Sequence, residues 1–332
     1  MKTSIVNSAC TFEESLYFFF RQSAWSTLGP FNYFFYRRSD PTFLAGLALM
    51  SVIGHDGLLL DLCCGVGHFT RTLAQHRDPT TVVGFDEFFF LLYLGKRFLA
   101  PHVTFICGSA NLPLPFRQRE FTYAFCSDAF FDIEGQWGCA RELLRIVDER
   151  GVIMLVHLHN PLWPHSYRGS HPLPARVYRN LFESRSPKFF SERTLLDDYI
   201  AERPLDLTLE QADKELASVP AFSMIATLRE GVLERHSTFA EPYEAKALGI
   251  NPLYHVCREA DRFLLTLEVP QEYRREYPEL EVVLPPHVEF DIALLEAARN
   301  GASSPEVRRL IQRRILISLP PRYLRAGTAN RC

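Results

Sequence analysis

The sequence predicts an α/β protein built on a mostly parallel β-sheet that is flanked by helices. Two observations predict it. Residues 58–62 form a strongly apolar segment, which ends in a tight turn containing Gly65 and Gly67 and continues as a helical pattern. From residue 58 to about residue 159, segments typical of strands alternate with segments typical of helices. A buried strand that leads through a glycine turn into a helix is typical of parallel sheets.

The predicted elements follow one another at short intervals. The predicted strands cover residues 58–62, 81–85, 103–107, 121–126 and 152–158. The predicted helices between them cover about residues 66–75, 87–99 and 135–148. The last helix has Ala140, Leu143 and Leu144 along one face, which predicts that it packs on the sheet. Residues 149–151 are expected to form the turn that follows it, and residues 221–228 are a candidate for a final strand.

Three regions are predicted along the chain. Residues 57–230 form the α/β domain, with an insertion at about residues 160–190 that is rich in Pro, His and Trp. Residues 1–56 form an N-terminal helical cap, because apolar residues recur there at helical spacing between proline-containing breaks. Residues 231–332 form an appended, smaller β/α unit.

Composition and charge exclude several classes of function. The net charge is −3 and the pI is about 6.4, so no positive field favours nucleic acid or an anionic membrane. No apolar run approaches the length of a membrane span. The eight cysteines contain no CxxC pair and no zinc-spaced His/Cys array, which predicts a reduced, cytoplasmic protein without a metal site.

Phenylalanine is abundant, with 27 residues that often occur in clusters such as residues 88–90. An aromatic-rich core is the interpretation we favour for most of them, and an apolar channel or partner surface is the alternative.

The glycine turn indicates a cofactor that contains adenosine. A dinucleotide site has the pattern G-x-G-x-x-G, in which the glycines let the backbone approach a pyrophosphate. Here the pattern that begins at Gly65 ends in Thr70, so the third glycine is missing, and there is no GK[ST] phosphate loop. S-adenosylmethionine (SAM) carries no phosphate, so the turn fits SAM better than NAD.

Five segments occur in the order found in one family. They are D-L-C-C-G-V-G at 61–67, V-V-G-F-D at 82–86, G-S-A-N-L-P-L-P-F at 108–116, F-T-Y-A-F-C-S-D-A at 121–129, and R-E-L-L-R-I-V at 141–147. Over residues 57–160 the sequence therefore resembles class I SAM-dependent methyltransferases, in particular the ubiquinone/menaquinone-type group that acts on small molecules. The resemblance implies a Rossmann-like fold, SAM as cofactor and methyl transfer as the activity.

The resemblance also implies which residues contact the cofactor. They are Asp61, Cys63, Gly65, Gly67, Asp86, Glu87, Ser109, Ala110 and Ser127. Asp86, about 20 residues beyond Gly67, stands where the family's acidic residue holds the ribose hydroxyls, and capping of the following helix is a compatible role. Two residues depart from the family's pattern: Cys63 occupies a glycine position, and Ser109 stands where many relatives carry an aspartate.

Candidate catalytic residues follow the fourth and fifth predicted strands. A general base is needed only where the acceptor loses a proton, and Asp128, His157 and His159 are the candidates. Alternation along a strand places His157 and His159 on one face. Packing within the fold is the alternative role for these histidines.

The sequence thus predicts a SAM-dependent methyltransferase that acts on a small, biosynthetic acceptor, with no nucleic-acid or membrane partner. The N-terminal helices and the insertion after residue 158 are expected to cover the acceptor pocket. Two alternatives remain: another SAM-dependent transfer or rearrangement on the same fold, and a non-catalytic, methyltransferase-like binding partner. The oligomeric state and the acceptor atom stay open.

Overall fold

The computed structural model of the protein describes residues 10–22, 29–163 and 170–325. Contacts divide the chain into two compact units. Residues 44–241 form the first, and residues 1–43 with 242–332 form the second.

Strands and helices are numbered here in chain order. The described strands are β1 (Leu59–Leu62), β2 (Val82–Asp86), β3 (Thr104–Cys107), β4 (Phe121–Ser127), β5 (Val147–His159), β6 (Lys188–Ser191), β7 (Leu205–Asp206), β8 (Ala221–Thr227), β9 (Arg235–His236), β10 (Leu248–Ile250), β11 (Tyr254–Glu259), β12 (Arg262–Leu267), β13 (His287–Asp291) and β14 (Leu316–Ser318). The described α-helices are α1 (Phe12–Gln22), α2 (Gly29–Tyr36), α3 (Pro41–Ala48), α4 (His68–His76), α5 (Phe89–Leu94), α6 (Gln136–Ile146), α7 (Ala175–Leu181), α8 (Glu192–Ile200), α9 (Asp213–Leu216), α10 (Gln271–Glu276), α11 (Leu280–Val283), α12 (Ile292–Arg299) and α13 (Pro305–Gln312).

A mostly parallel sheet of seven described strands forms the centre of the first unit, in the order β3-β2-β1-β4-β5-β8-β6. Strands β1 to β5 pair in parallel, whereas β8 runs antiparallel to both β5 and β6. The predicted Rossmann-like fold, a mostly parallel sheet flanked by helices, is confirmed. The strand order reverses direction between β1 and β4, and ligands of such sheets bind at the carboxyl ends of the strands beside this point.

The apolar pattern of the sequence explains the packing of the sheet. Every residue of β1 is buried, as expected for a strand covered on both faces. On α6, Ala140 and Leu143 are buried in the same hydrophobic cluster as Leu60 and Phe85 of the sheet. This burial holds the carboxyl ends of β1 and β2 in fixed positions.

Residues 149–151 differ from the sequence prediction, since they belong to β5 instead of forming a turn. Strand β5 begins directly after α6, and its register against β4 is irregular at that end. The guanidinium of Arg185 donates to the carbonyls of Val147 at 3.0 Å and Glu149 at 2.7 Å, and also to that of Asp148. A side chain distant in sequence therefore satisfies the backbone that a turn would otherwise satisfy locally.

The second unit joins the two ends of the chain. The Phe12 ring stacks on the Tyr323 ring at 4.5 Å between centroids, and the Phe12 amide donates to the Arg322 carbonyl at 2.8 Å. Asn251 Nδ2 donates to Ser39 Oγ at 2.9 Å. Strands β11, β12 and β13 form an antiparallel sheet, and β10 pairs antiparallel with β14. Hydrogen bonds and ring stacking therefore tie residues near the N-terminus to the C-terminal part of the chain.

None of the helices described between residues 10 and 325 combines the length and the apolar character needed to cross a lipid bilayer.

Candidate active site

The glycine turn lies between β1 and α4, at the carboxyl end of β1. Cys63, Gly65 and Gly67 all have positive φ angles, of 56°, 56° and 83°. A Cβ at Gly67 would lie 3.2 Å from the Phe105 ring and from Thr70, so the turn needs glycine there for space as well as for conformation. The turn thus presents a bare backbone at the edge of the sheet.

Cys63, one of the two departures from the family's pattern, occupies a glycine position, and its φ is left-handed as a glycine's could be. For a residue with a Cβ, this conformation costs about 1–2 kcal/mol. The half-buried side chain packs against the hydrophobic core, and the thiols of Cys63 and Cys126 share a hydrogen bond. That hydrogen bond, together with burial, raises the pKa of Cys126, so the Cys126 thiol is neutral. The turn therefore keeps its glycine-like path with a thiol packed beneath it.

Asp61 ends β1 beneath the turn, and its side chain is 2% exposed. The carboxylate accepts a hydrogen bond from Thr70 Oγ1 at 2.5 Å, which fixes the first turn of α4 to the strand. Burial, with a smaller contribution from Asp86, raises the pKa of Asp61 to about 7. A nearby positive charge would favour the ionised form of this carboxyl.

Asp86 ends β2 and is 7% exposed. Its Oδ2 accepts from the Gly65 amide and its Oδ1 from the Phe88 amide, both at 2.9 Å. Burial raises the pKa of Asp86, while these two hydrogen bonds oppose the shift. Each carboxylate oxygen has two lone pairs, so both oxygens retain capacity for a further donor. The residue thus caps the backbone that follows it and remains able to accept two hydroxyls.

Ser109 and Glu87 are joined across the loops that follow β3 and β2. Ser109 Oγ donates to Glu87 Oε2 at 3.2 Å and accepts from the Asn111 amide at 3.4 Å. Ala110, the next residue, is buried against the core. The serine that replaces the family's aspartate is therefore paired with a carboxylate from the neighbouring loop.

Phe88 and Phe89 correct the expectation that residues 88–90 lie in the core. Phe88 is 42% exposed and Phe89 is 70% exposed. They stand at the start of α5, beyond the carboxyl end of β2, where the sheet no longer covers them. The Phe88 side chain, two residues after Asp86, is therefore partly exposed.

Asp128 and His157 lie next to each other at the carboxyl ends of β4 and β5. Both have a φ of 57°, and the Asp128 amide donates to the Val156 carbonyl at 2.9 Å. The register of β5 against β8 shifts between Leu155 and Leu158, which marks a bulge at His157. His157 Nε2 lies 3.6 Å from Asp128 Oδ1.

His159 completes this cluster. Its ring centroid is 4.7 Å from that of His157, and the Phe131 ring meets it edge-on at 4.3 Å. One ligating atom from each of Asp128, His157 and His159 lies within 4.8 Å of the other two. Burial and the neighbouring His157 lower the pKa of His159 to about 4, so its imidazole is neutral at pH 7. The structure thus brings together all three predicted catalytic candidates.

Sequence reasoning missed Glu192, the first residue of α8. Its Oε2 lies 2.6 Å from His157 Nδ1, and its Oε1 accepts from Ser223 Oγ at 3.4 Å. The side chains of Asp128, His157 and Glu192 are only 10%, 13% and 12% exposed. The sequence around Glu192 is typical of a helix start, and this pattern does not show which strand the glutamate faces.

Ser127, the residue before Asp128, has a hydroxyl oxygen that is buried without a hydrogen-bond partner among the described residues. A buried hydroxyl in that position calls for a polar ligand atom. The bare turn, the spare acceptor capacity of Asp86 and this hydroxyl all fit an adenosine-containing cofactor that has no phosphate.

The comparison with protein families agrees with this geometry. The family described as "Methyltransferase domain" matches residues 59–151. No curated protein matches the chain. Among solved structures, the YcgJ protein from Bacillus subtilis is 14% identical, covers 57% of this chain and 99% of its own, and has a TM-score of 0.41.

Two SAM-dependent methyltransferases of known structure are similar at the same level. The Mesorhizobium loti enzyme is 15% identical, covers 55% of this chain and 97% of its own, and has a TM-score of 0.42. The Thermotoga maritima enzyme is 12% identical, covers 64% of this chain and 99% of its own, and has a TM-score of 0.43. The family match makes residues 59–151 a methyltransferase domain, for which SAM is the cofactor, and the strand order and the glycine turn agree with that match.

Proposed function

We propose that the protein transfers the methyl group of SAM to a small-molecule acceptor bound over the carboxyl ends of β1, β4 and β5. The observation that carries the proposal is the cluster of Asp128, His157 and His159. It lies at the same edge of the sheet as the glycine turn, on β4, which pairs with β1, and on β5, which pairs with β4. These side chains are largely enclosed, which suits an acceptor small enough to be surrounded.

The cofactor contacts follow from the donors and acceptors of the turn. Asp86 accepts the two ribose hydroxyls, while Asp61 lies under the turn and favours the cofactor's amino group. The backbone of Cys63, Gly65 and Gly67 lies against the cofactor. The adenine side is formed by Glu87, Ser109 and Ala110, and the Ser127 hydroxyl binds near the methionine part.

The chain's own residues position the acceptor and take up its proton. When bound, SAM supplies an electrophilic methyl group on a sulfonium, so alignment and exclusion of water provide most of the acceleration. His157 Nε2 accepts the proton of the acceptor group, and its Nδ1–H is held by Glu192 at 2.6 Å. The arrangement of base and orienting carboxylate stabilises the imidazolium that forms.

The absence of a positive field supports a small acceptor in place of a nucleic acid. The net charge is −3, and phosphate contacts dominate the affinity of proteins that bind nucleic acids. This supports a small metabolite of biosynthesis as the acceptor. The absence of CxxC pairs among the eight cysteines supports a reducing, cytoplasmic compartment for the reaction.

Transfer of a labelled methyl group tests the proposal. The full chain is incubated with methyl-labelled SAM and one class of acceptor at a time. The acceptors are a panel of small molecules with hydroxyl groups, amino groups or acidic C–H groups, then RNA, then DNA. We expect label in a small molecule, lost in His157→Gln and kept in Asp148→Asn, an exposed carboxylate at the opposite end of β5. Label in nucleic acid alone would refute the proposed acceptor class, and SAM binding without any transfer would favour a non-catalytic partner.

A further inference from the structure

We propose that Asp128, His157 and His159 hold one divalent transition-metal ion of the Zn²⁺ class, and that this ion binds the acceptor through a hydroxyl oxygen. The inference rests on the proposed function and deepens it, since it names an O-methylation and the chemical class of the acceptor. It also departs from the sequence-based expectation of no metal site. That expectation rested on ligand spacing along the chain, and residues 128 and 157–159 are too far apart in sequence to show such a spacing.

The donor set is the first argument. Two imidazole nitrogens and one carboxylate oxygen suit first-row transition metals, whereas Mg²⁺ and Ca²⁺ prefer sets made of oxygen alone. Three protein ligands leave at least one coordination position open, as in catalytic metal sites. A hydroxyl oxygen of the acceptor can occupy that position.

The distances are the second argument. Ligands bound to a metal at about 2.0–2.2 Å with tetrahedral angles lie about 3.3–3.6 Å apart. His157 Nε2 and Asp128 Oδ1 are 3.6 Å apart, which already matches. The donors of all three residues lie within 4.8 Å of one another, so side-chain shifts of about an ångström bring them to one ion.

The surroundings of His157 are the third argument. Metal-binding histidines typically donate their second ring N–H to a carboxylate, which fixes the tautomer and the ring orientation. Glu192 Oε2 has this position at 2.6 Å from Nδ1, and so Nε2 is directed to Asp128. Ser223 holds the other oxygen of Glu192, and the Phe131 ring packs against His159.

The backbone supports the same assignment. Asp128 and His157 both have a φ of 57°, an unfavourable value for residues with a Cβ. Strain of this kind persists where the surrounding structure holds a functional geometry. Here it brings donors from two neighbouring strands to one point.

The ion changes how the acceptor loses its proton. As a Lewis acid it lowers the pKa of the hydroxyl, whose O–H bond breaks and whose proton leaves to solvent. The oxygen then forms its bond to the methyl carbon while the sulfur–carbon bond breaks and that electron pair stays on sulfur. The ion thereby replaces the base role proposed above for His157 Nε2. That nitrogen is a ligand in this reaction, and no protein side chain has to accept the proton.

Metal binding to the full chain tests the inference without any acceptor. Chelator-treated, tag-free protein is titrated with Zn²⁺ by calorimetry and with Co²⁺ by visible absorption. We expect one ion per chain and the absorption bands of a Co²⁺ site with nitrogen ligands. His159→Gln should weaken Zn²⁺ binding about 100-fold and Glu192→Gln about tenfold. His236→Gln, at a half-buried histidine on β9, should change nothing.

The results distinguish failure of the metal assignment from failure of the proposed methyl transfer. SAM binding measured on the same variants shows that they are folded, and we expect it to stay unchanged in His159→Gln. Absence of a Zn²⁺ site in the wild type, or equal Zn²⁺ affinity in wild type, His159→Gln and Asp128→Asn, would overturn the metal assignment. Undiminished methyl transfer by chelator-treated protein would also overturn it and leave the proposed function standing. A Zn²⁺ site without methyl transfer to any acceptor would support the metal assignment and contradict the proposed function.

Discussion

The ionisation of Asp61 links the stability of the protein to pH. Burial raises the pKa of Asp61 from 3.8 to about 7 in the folded protein. Because the folded state then holds this proton more tightly than the unfolded chain, the residue stabilises the fold fully below about pH 4, and that stabilisation is lost as the pH rises through 7. A pKa that is higher by about 3 in the folded protein corresponds to about 4 kcal/mol in the free energy of unfolding.

Replacement of Asp61 by asparagine isolates this contribution. The side-chain carbonyl introduced by Asp61→Asn still accepts from the Thr70 hydroxyl, but the side chain no longer titrates. Unfolding by denaturant at about pH 5 and about pH 8 should show that the wild type loses roughly 2–3 kcal/mol more than the variant over this range. Asp148→Asn, which removes an exposed carboxylate, should follow the wild type. Parallel pH profiles for wild type and Asp61→Asn would refute the reasoning.

The same residue predicts a proton released when SAM binds. The positive charges of SAM favour the ionised carboxylate, so Asp61 should lose its proton in the complex. Calorimetry near pH 7 in buffers of different ionisation enthalpy should detect about half a proton per SAM, because the free residue is then about half protonated. The release should be absent in Asp61→Asn, and an equal release from both proteins would contradict the assignment.

Three further pairs of substitutions test the turn and its surroundings. Phe88→Ala should weaken SAM binding about fivefold through loss of an aromatic contact beside the ribose site. Phe89→Ala, at a more exposed ring, should leave SAM binding unchanged. Equal Kd values for the two variants would contradict a role for Phe88. Gly67→Ala should lower the free energy of unfolding by at least about 1–2 kcal/mol, because φ is 83° there and a Cβ would crowd Phe105. Gly138→Ala, at a helical position with open space, should raise it by up to about 1 kcal/mol. The reverse order of stabilities would refute this geometry. Cys63→Gly should keep the free energy of unfolding within about 1 kcal/mol of the wild type. Cys63→Val should lower it by roughly 2 kcal/mol, because branched side chains tolerate positive φ poorly. Equal stabilities of the two variants would contradict the left-handed conformation.

The sequence predicted the central sheet and the cofactor turn because both are encoded locally. An apolar strand, a glycine turn and a helix occupy consecutive residues, and Asp86 follows at the length of one βα unit. The chain order of parallel strands then determines which loops meet at the carboxyl edge. Even the left-handed path at Cys63 was foreseeable from the glycine that the family's pattern places there.

The second half of the site depends on contacts between residues far apart in the chain. Glu192 reaches His157 because β8 pairs antiparallel with β5 and also with β6, the strand that precedes α8. Neither pairing produces a characteristic spacing between residues in the sequence, so the sequence alone does not predict this contact. The exposure of Phe88 was missed for a related reason, since apolar character alone does not show where the sheet stops covering a helix.

Binding of SAM is the measurement that tests the account most directly. We expect calorimetry on the full chain to show one SAM per chain for the wild type and for Asp148→Asn. Asp86→Ala should weaken the affinity at least about tenfold, because two hydroxyl donors then lose a charged acceptor. No binding by the wild type, or equal affinity for wild type and Asp86→Ala, would contradict the assignment of the glycine turn and Asp86 as the cofactor site.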